Sequence, residues 1–156
     1  IKTYTPVVEL AEKYKLPIGI ENMNKIHEAA EIAYLGVTVE ELARVLNAIP
    51  SKYFGLTLDI AHASLLPGGP ESFIDAFPNR IISTHVCDND LILDRHVPVG
   101  NGKIDFKRVF GNLLKVDFKG TLNIELPRSN EDRALSKRRL EPILAELGIL
   151  KEALTP

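Results

Sequence analysis

At 156 residues, with 45% apolar and 26% charged side chains, the chain has the composition of an ordinary globular domain and the length to bury a core. A net charge of −2 and a pI near 6.1 leave no basic footprint for a nucleic-acid backbone, and no apolar run reaches the length of a membrane span. The single cysteine, Cys87, excludes an internal disulfide and fits a reducing, cytoplasmic compartment.

The chain opens at Ile1, without a Met, so the original N-terminus is expected to lie upstream or to have been removed. Thr5 is expected to cap the first helix with Pro6 at its first position, and Val7, Leu10, Ala11 and Tyr14 recur at helical spacing. Residues 17–21, PIGIE, read as a short strand, and a helix is expected around 25–34, ended by Gly36. Thr38 and Glu41 form a capping box for a helix with Val39, Leu42, Ala43, Leu46 and Ile49 on one face. Residues 53–60, YFGLTLDI, are the second strand. A turn-rich run at 66–70 leads to a short helix over 71–77, and 80–86 is the third strand. Asp105 caps a helix bearing Phe106, Val109, Phe110 and Leu113, and 118–126, FKGTLNIEL, is the fourth strand. Ser129 caps a last helix that runs to about Leu147 and should kink at Pro142. Strand–helix alternation of this kind specifies an α/β fold with a parallel sheet.

The strands share a pattern. Residues two apart lie on one face, which groups Gly19 with Glu21, then Gly55 with Thr57 and Asp59, then Ser83 with His85, then Thr121 with Asn123 and Glu125. Each small or polar face ends in Glu, Asp or His, and the opposite faces are apolar. A (β/α) barrel of TIM type brings such residues together, because its active site lies at the C-terminal strand ends. A flat sheet would spread them in a row. Glu21, Asp59, His85 and Glu125 would be costly to pack ionised without a cation, so a divalent metal is expected there: Mn²⁺, Mg²⁺, Co²⁺ or Zn²⁺.

The polar loop after His85 holds Asp88, Asn89, Asp90, Asp94 and His96 and closes on Gly100-Asn101-Gly102, which reads as a tight turn. Asp94-x-His96 puts two ligands within reach of one ion; a solvated acidic loop is the alternative. His62, three residues after Asp59, could bind a second metal or a substrate oxygen, or be a surface residue at a helix start. Asp88 and His96 join His62 as candidate substrate contacts. His27 reads as a packing or surface residue, Cys87 as a small buried hydrophobe, and Lys137-Arg138-Arg139 as a solvated helix face.

Five segments, GIENM at 19–23, GLTLDIAHA at 55–63, STHVCDND at 83–90, DRHVPVGNGKIDF at 94–106 and LNIELP at 122–127, resemble the xylose-isomerase-like TIM barrel superfamily. It includes sugar and sugar-phosphate isomerases and epimerases and the endonuclease IV branch of AP endonucleases. The resemblance implies that residues 1–156 form one domain, the last four strand–helix units of a (β/α)8 barrel. A closed barrel of this kind takes roughly 200–250 residues. A fragment of a longer protein is therefore expected, with pairing of two copies as the alternative. The resemblance also implies one metal on Glu21, Asp59, His85 and Glu125, with Glu21 and Glu125 as the acid/base pair and His62 on substrate oxygen. In the endonuclease branch, residues matching His62, Asp94 and His96 hold a further zinc. The run VCDND after His85 departs from that branch, which typically has a Leu-Asn-Asp-Ser-Lys-like run. The resulting expectation is a metal-dependent epimerase or isomerase of a sugar or sugar phosphate, with a zinc-dependent AP endonuclease, or an inactive fragment of either, as the alternative.

Overall fold

The computed structural model describes residues 1–25, 34–127 and 129–150. The expected helix at 25–34, and His27 with it, lies almost wholly outside the described residues.

Four strands, β1 (Ile18–Glu21), β2 (Phe54–Asp59), β3 (Ile81–Val86) and β4 (Thr121–Ile124), form one parallel sheet in the order β1-β2-β3-β4. Each neighbour pair is consecutive in sequence, with at least one helix in each crossover. The helices are α1 (Tyr4–Tyr14), α2 (Val39–Ala48), α3 (Ile60–Ser64), α4 (Gly69–Ala76), α5 (Phe106–Lys115) and α6 (Asn130–Glu146). This is the α/β, TIM-barrel type of architecture, in four strand–helix units.

Local chemistry sets most helix starts. Thr38 accepts from the Glu41 amide, and the Glu41 carboxylate reaches back to the amides of Gly36, Val37 and Thr38. Asp105 and Ser129 cap α5 and α6 through their side chains. α1 begins earlier than Thr5: its N-cap is Thr3, and the Thr5 hydroxyl donates to the Ile1 carbonyl instead. Pro6 then sits within the first turn, where its missing N–H costs nothing. α6 is assigned as one helix through Pro142. α3 was not expected: Ile60, Ala61 and Ala63 extend the apolar run of β2, and Asp59 turns that run into a helix by accepting from the His62 amide.

The apolar faces of the strands lie under the helices. Phe54, Leu56 and Leu58 of β2 pack with Leu42, Leu46, Phe73, Ile74, Val109, Phe110 and Leu113 in one continuous core. The opposite, polar face is stitched by the Thr57–Ser83 hydroxyl pair at 2.8 Å. Gly55 admits a bulge here. A Cβ at Gly55 would overlap the Arg80 carbonyl and the Ile82 side chain, at the point where the β2–β3 register shifts between Leu56 and Thr57. After the shift, Thr57 pairs with Ser83 and Asp59 with His85, which aligns the strand ends that carry Asp59 and His85.

Candidate metal centre

The strand ends deliver four side chains to one place. The ligand atoms of Glu21, Asp59, His85 and Glu125 all lie within 4.8 Å of one another. His85 Nδ1 is 2.8 Å from Glu125 Oε2, 3.2 Å from Glu21 Oε1 and 3.9 Å from Asp59 Oδ2. Glu125 stands one residue past β4, but its amide still donates to the Val86 carbonyl, so the ladder holds it.

Charge at this cluster is unbalanced. Among the described residues, Asp59 Oδ2 and Glu125 Oε2 are buried atoms without a hydrogen-bond partner. The contact between Glu125 and His85 is close enough for an ion pair but lacks hydrogen-bond geometry. Burial pushes the Asp59 carboxyl up to about 6, against the pull of His62. Burial also works to raise Glu21, but the hydrogen bond and charge of His85 outweigh it and hold that carboxyl below its ordinary value. His85 is raised in turn, chiefly by the same bond. Three carboxylates around one imidazole, with two orphaned buried oxygens, are what a divalent cation would satisfy.

A second cluster lies beside the first. His62, the alternative surface residue, is only 6% exposed because α3 folds over the strand end. Its Nε2 is 3.3 Å from Asp94 Oδ2, and His96 Nε2 is 3.2 Å from Asp94 Oδ1. Asn24 donates to Asp94 Oδ2 at 2.9 Å. The ligand atoms of His62, Asp94 and His96 also fall within 4.8 Å of one another. Burial opposes the charged forms of His62 and Asp94, but their mutual bond wins: His62 rises to about 9 and Asp94 is held well below the usual carboxylate range. His96 is raised by its bond to Asp94.

The loop that carries Asp94 and His96 hangs on Asp88. Its carboxylate accepts from the amides of Asn89 (2.9 Å), Gly100 (2.9 Å), Gly102 (3.0 Å) and Ile104 (3.1 Å). Its backbone pairs with Val97 in a two-bond antiparallel bridge. Asp88 was expected among the substrate contacts; its buried carboxylate is instead occupied by four backbone donors. Gly100-Asn101-Gly102 is the expected tight turn, with Gly100 at φ 80. Arg139, read from sequence as part of a solvated face, clamps that turn through the Val99 carbonyl and the Asn101 side chain, both at 2.7 Å. Cys87 is fully buried, its thiol pushed up by burial, with Sγ 3.4 Å from His96 Nδ1. Sequence reasoning missed Asn22 and Asn24, whose signal is the polar run directly after Glu21.

A parallel β/α sheet with acidic and imidazole side chains converging at its C-terminal strand ends defines a barrel-type α/β protein of the kind that builds its site on that face. The chain belongs to the xylose isomerase-like TIM barrel family, whose model matches residues 1–153. It is 34% identical over 145 residues to the uncharacterised protein MJ1311 of Methanocaldococcus jannaschii, covering 91% of this chain and 47% of that protein. It is similar to the crystal structure of a D-tagatose 3-epimerase-like protein, with TM-score 0.83, 33% identity, and 94% of this chain against 54% of that one. An L-ribulose 3-epimerase shares the fold at TM-score 0.70 and 17% identity, over 97% of this chain and 56% of that one. The chain thus spans about half the length of these relatives. Among the described residues, no helix is long and apolar enough to cross a membrane.

Proposed function

We propose that this chain is the metal-binding C-terminal half of a cytoplasmic epimerase or isomerase that moves a proton beside the carbonyl of a sugar or sugar phosphate. One observation carries the reading: Glu21, Asp59, His85 and Glu125 converge from four successive strands and leave two buried carboxylate oxygens without a donor. The similarity to ketose epimerases supports it. Glu21, Asp59, His85 and Glu125 would hold Mn²⁺, Mg²⁺, Co²⁺ or Zn²⁺, which supplies Lewis-acid charge for the substrate's carbonyl oxygen. One of Glu21 and Glu125 takes the proton from the carbon next to the carbonyl. The C–H electron pair becomes the carbon–carbon double bond of an enediolate, and the carbonyl π pair moves onto oxygen. The other glutamate returns a proton to the opposite face of the same carbon, or to the neighbouring carbon. His62 and His96 contact substrate oxygens from the side, and Asp88 orders their loop. The remaining lumen comes from an N-terminal half or from a second copy.

The test is deuterium exchange. Chelator-treated protein, in its complete form, is reloaded with Mn²⁺ and incubated with ketopentoses and ketohexoses in D₂O. Deuterium should enter the carbon beside the carbonyl of an epimerised ketose. Absence of exchange with every ketose, or wild-type turnover in both Glu21→Gln and Glu125→Gln, would overturn the proposal.

The cluster of His62, Asp94 and His96 favours a second reading, a zinc-dependent phosphodiesterase acting at abasic DNA. Three zinc ions per complete protein, with cleavage of an abasic duplex, would favour it; one ion per protein favours the epimerase.

A further inference from the structure

We propose that Asn22 is the positioning residue that joins the two clusters: its side-chain amide clamps Asp59 while its main-chain carbonyl fixes His62 Nδ1, so that His62 Nε2 faces Asp94. Only the activity arm of the test below rests on the epimerase reading.

The β1–β2 ladder ends at the pair Glu21–Thr57. From Asn22 the main chain leaves the sheet, and the side chain takes the place of the missing rung. Asn22 is fully buried. Its Oδ1 accepts from the Asp59 amide at 2.7 Å, and its Nδ2 donates to the Asp59 carbonyl at 3.0 Å. A strand backbone would make the same two bonds. Asparagine alone offers a donor and an acceptor at this reach: aspartate lacks the donor, serine has a single atom, and glutamine is one methylene longer. The clamp acts on a residue with two jobs. Asp59 Oδ1 caps α3 by accepting from the His62 amide at 2.7 Å, and Oδ2 is the orphaned oxygen of the strand-end cluster.

The carbonyl of Asn22 lies 3.0 Å from His62 Nδ1. A carbonyl only accepts, so Nδ1 carries a proton whether the ring is neutral or charged. Nε2 is then directed at Asp94 Oδ2, 3.3 Å away. The rival acceptors for Nδ1 are farther: Glu21 Oε1 at 3.6 Å and Asp59 Oδ2 at 3.7 Å. Both belong to the strand-end cluster. Without the Asn22 carbonyl in place, the ring would turn its N–H toward those carboxylates, leaving Asp94 and competing with a cation for their oxygens.

The experiment compares wild type with Asn22→Ala and the isosteric Asn22→Asp, in the complete protein labelled with ¹⁵N-histidine. Wild type should show a slowly exchanging Nδ1–H resonance, assigned to His62 by its loss in His62→Gln. Both Asn22 variants should lose or broaden it. On a ketose that wild type epimerises, kcat should fall roughly 10–100-fold, as for other partners that orient a ligand. Should Asn22→Ala fail to fold, Asn22→Asp gives the same readouts. An unchanged Nδ1–H resonance in a folded variant, or a kcat within about threefold of wild type, overturns the proposal. Should wild type turn over no ketose, the epimerase reading fails, and this proposal stands or falls on the resonance alone.

Discussion

The strand-end cluster and the loop cluster meet at one ring: His62 Nδ1 lies 3.6 Å from Glu21 and its Nε2 3.3 Å from Asp94. They are held in different ways. Glu21, Asp59 and His85 sit on ladder-paired strands, and Glu125 is one ladder bond beyond, so their places follow from the sheet. Asp94 and His96 sit on a loop whose path depends on the Asp88 carboxylate, and His96 adopts a left-handed backbone at φ 43. Their charge differs too. Three carboxylates face one imidazole in the first cluster, whereas two imidazoles and an amide face one carboxylate in the second. The first leaves two buried carboxylate oxygens without a donor, which the proposed cation would satisfy; the groups of the second pair with one another. A strand-held cluster with orphaned oxygens beside a loop-held cluster whose groups pair with one another fits the proposed division between chemistry and positioning.

The largest effect expected from breaking this contrast is chemical. Glu21→Gln and Glu125→Gln each remove a proposed proton carrier and should lower kcat by about 10²–10⁴, with circular dichroism unchanged. Turnover within about tenfold of wild type in both, below the lower end of general acid–base effects, would assign the proton transfer elsewhere.

Asp88→Ala attacks the other side. It leaves four amides without their acceptor and should destabilise the fold by about 3 kcal/mol. It should also release Asp94 and His96 while the strand-end cluster keeps its metal. Urea titration gives the first result and metal analysis the second. Loss of all bound metal in a folded Asp88→Ala protein would show that the two clusters are not separable.

Metal itself should sort the clusters. Removing a cation held at 100 times its Kd costs about 2.7 kcal/mol of stability, read as a lower Tm in chelator. Asp59→Asn should abolish most of that response, and Asp94→Asn should leave most of it. Equal losses in the two variants would contradict the assignment of the cation to the strand ends.

The contrast also explains what the sequence could reveal. Period-two alternation places Gly19 with Glu21, and Gly55 and Thr57 with Asp59, on one face, so the strand-end cluster is legible without coordinates. The loop cluster is not. Asp88, Asp90 and Asp94 look alike in sequence; Asp88 differs because Gly100 and Gly102 fold back onto it from 12 and 14 residues away. His62 could be read as exposed because α3 hides inside an apolar run that continues β2. Asn22 carries a faint signal, an amide directly after a strand-end ligand, whose meaning appears only where the β1–β2 ladder stops. The Thr5 cap fails for a simpler reason: Thr3 and Thr5 both precede the helical run, and spacing does not choose between them.

The smallest expected effect is on the pH dependence of stability in the metal-free protein. His62 is raised from 6.5 to about 9, and His85 and His96 are raised as well. The folded state thus binds more protons than the unfolded one above pH 6.5, and stability must fall as pH rises through that window. Asp59, raised from 3.8 to about 6, gives a loss of the same sign at lower pH. Glu21 and Asp94 are depressed, so their stabilisation is complete once pH exceeds 4.5 and 3.8. Between pH 6.5 and 9, then, the histidine contribution moves, and toward pH 9 the buried Cys87 thiol, pushed up from 9.0, adds a loss of the same sign. A bound cation displaces the proton from His85 and removes its share. The His62–Asp94 share remains, because that pair is satisfied without metal. Urea midpoints at pH 6.5, 7.5 and 9 should decline in metal-free wild type, and decline less both with Mn²⁺ and in metal-free His62→Gln, where the raised His85 and His96 remain. A midpoint that rises with pH in the metal-free protein would mean that His62 is not the proton-holding partner of Asp94.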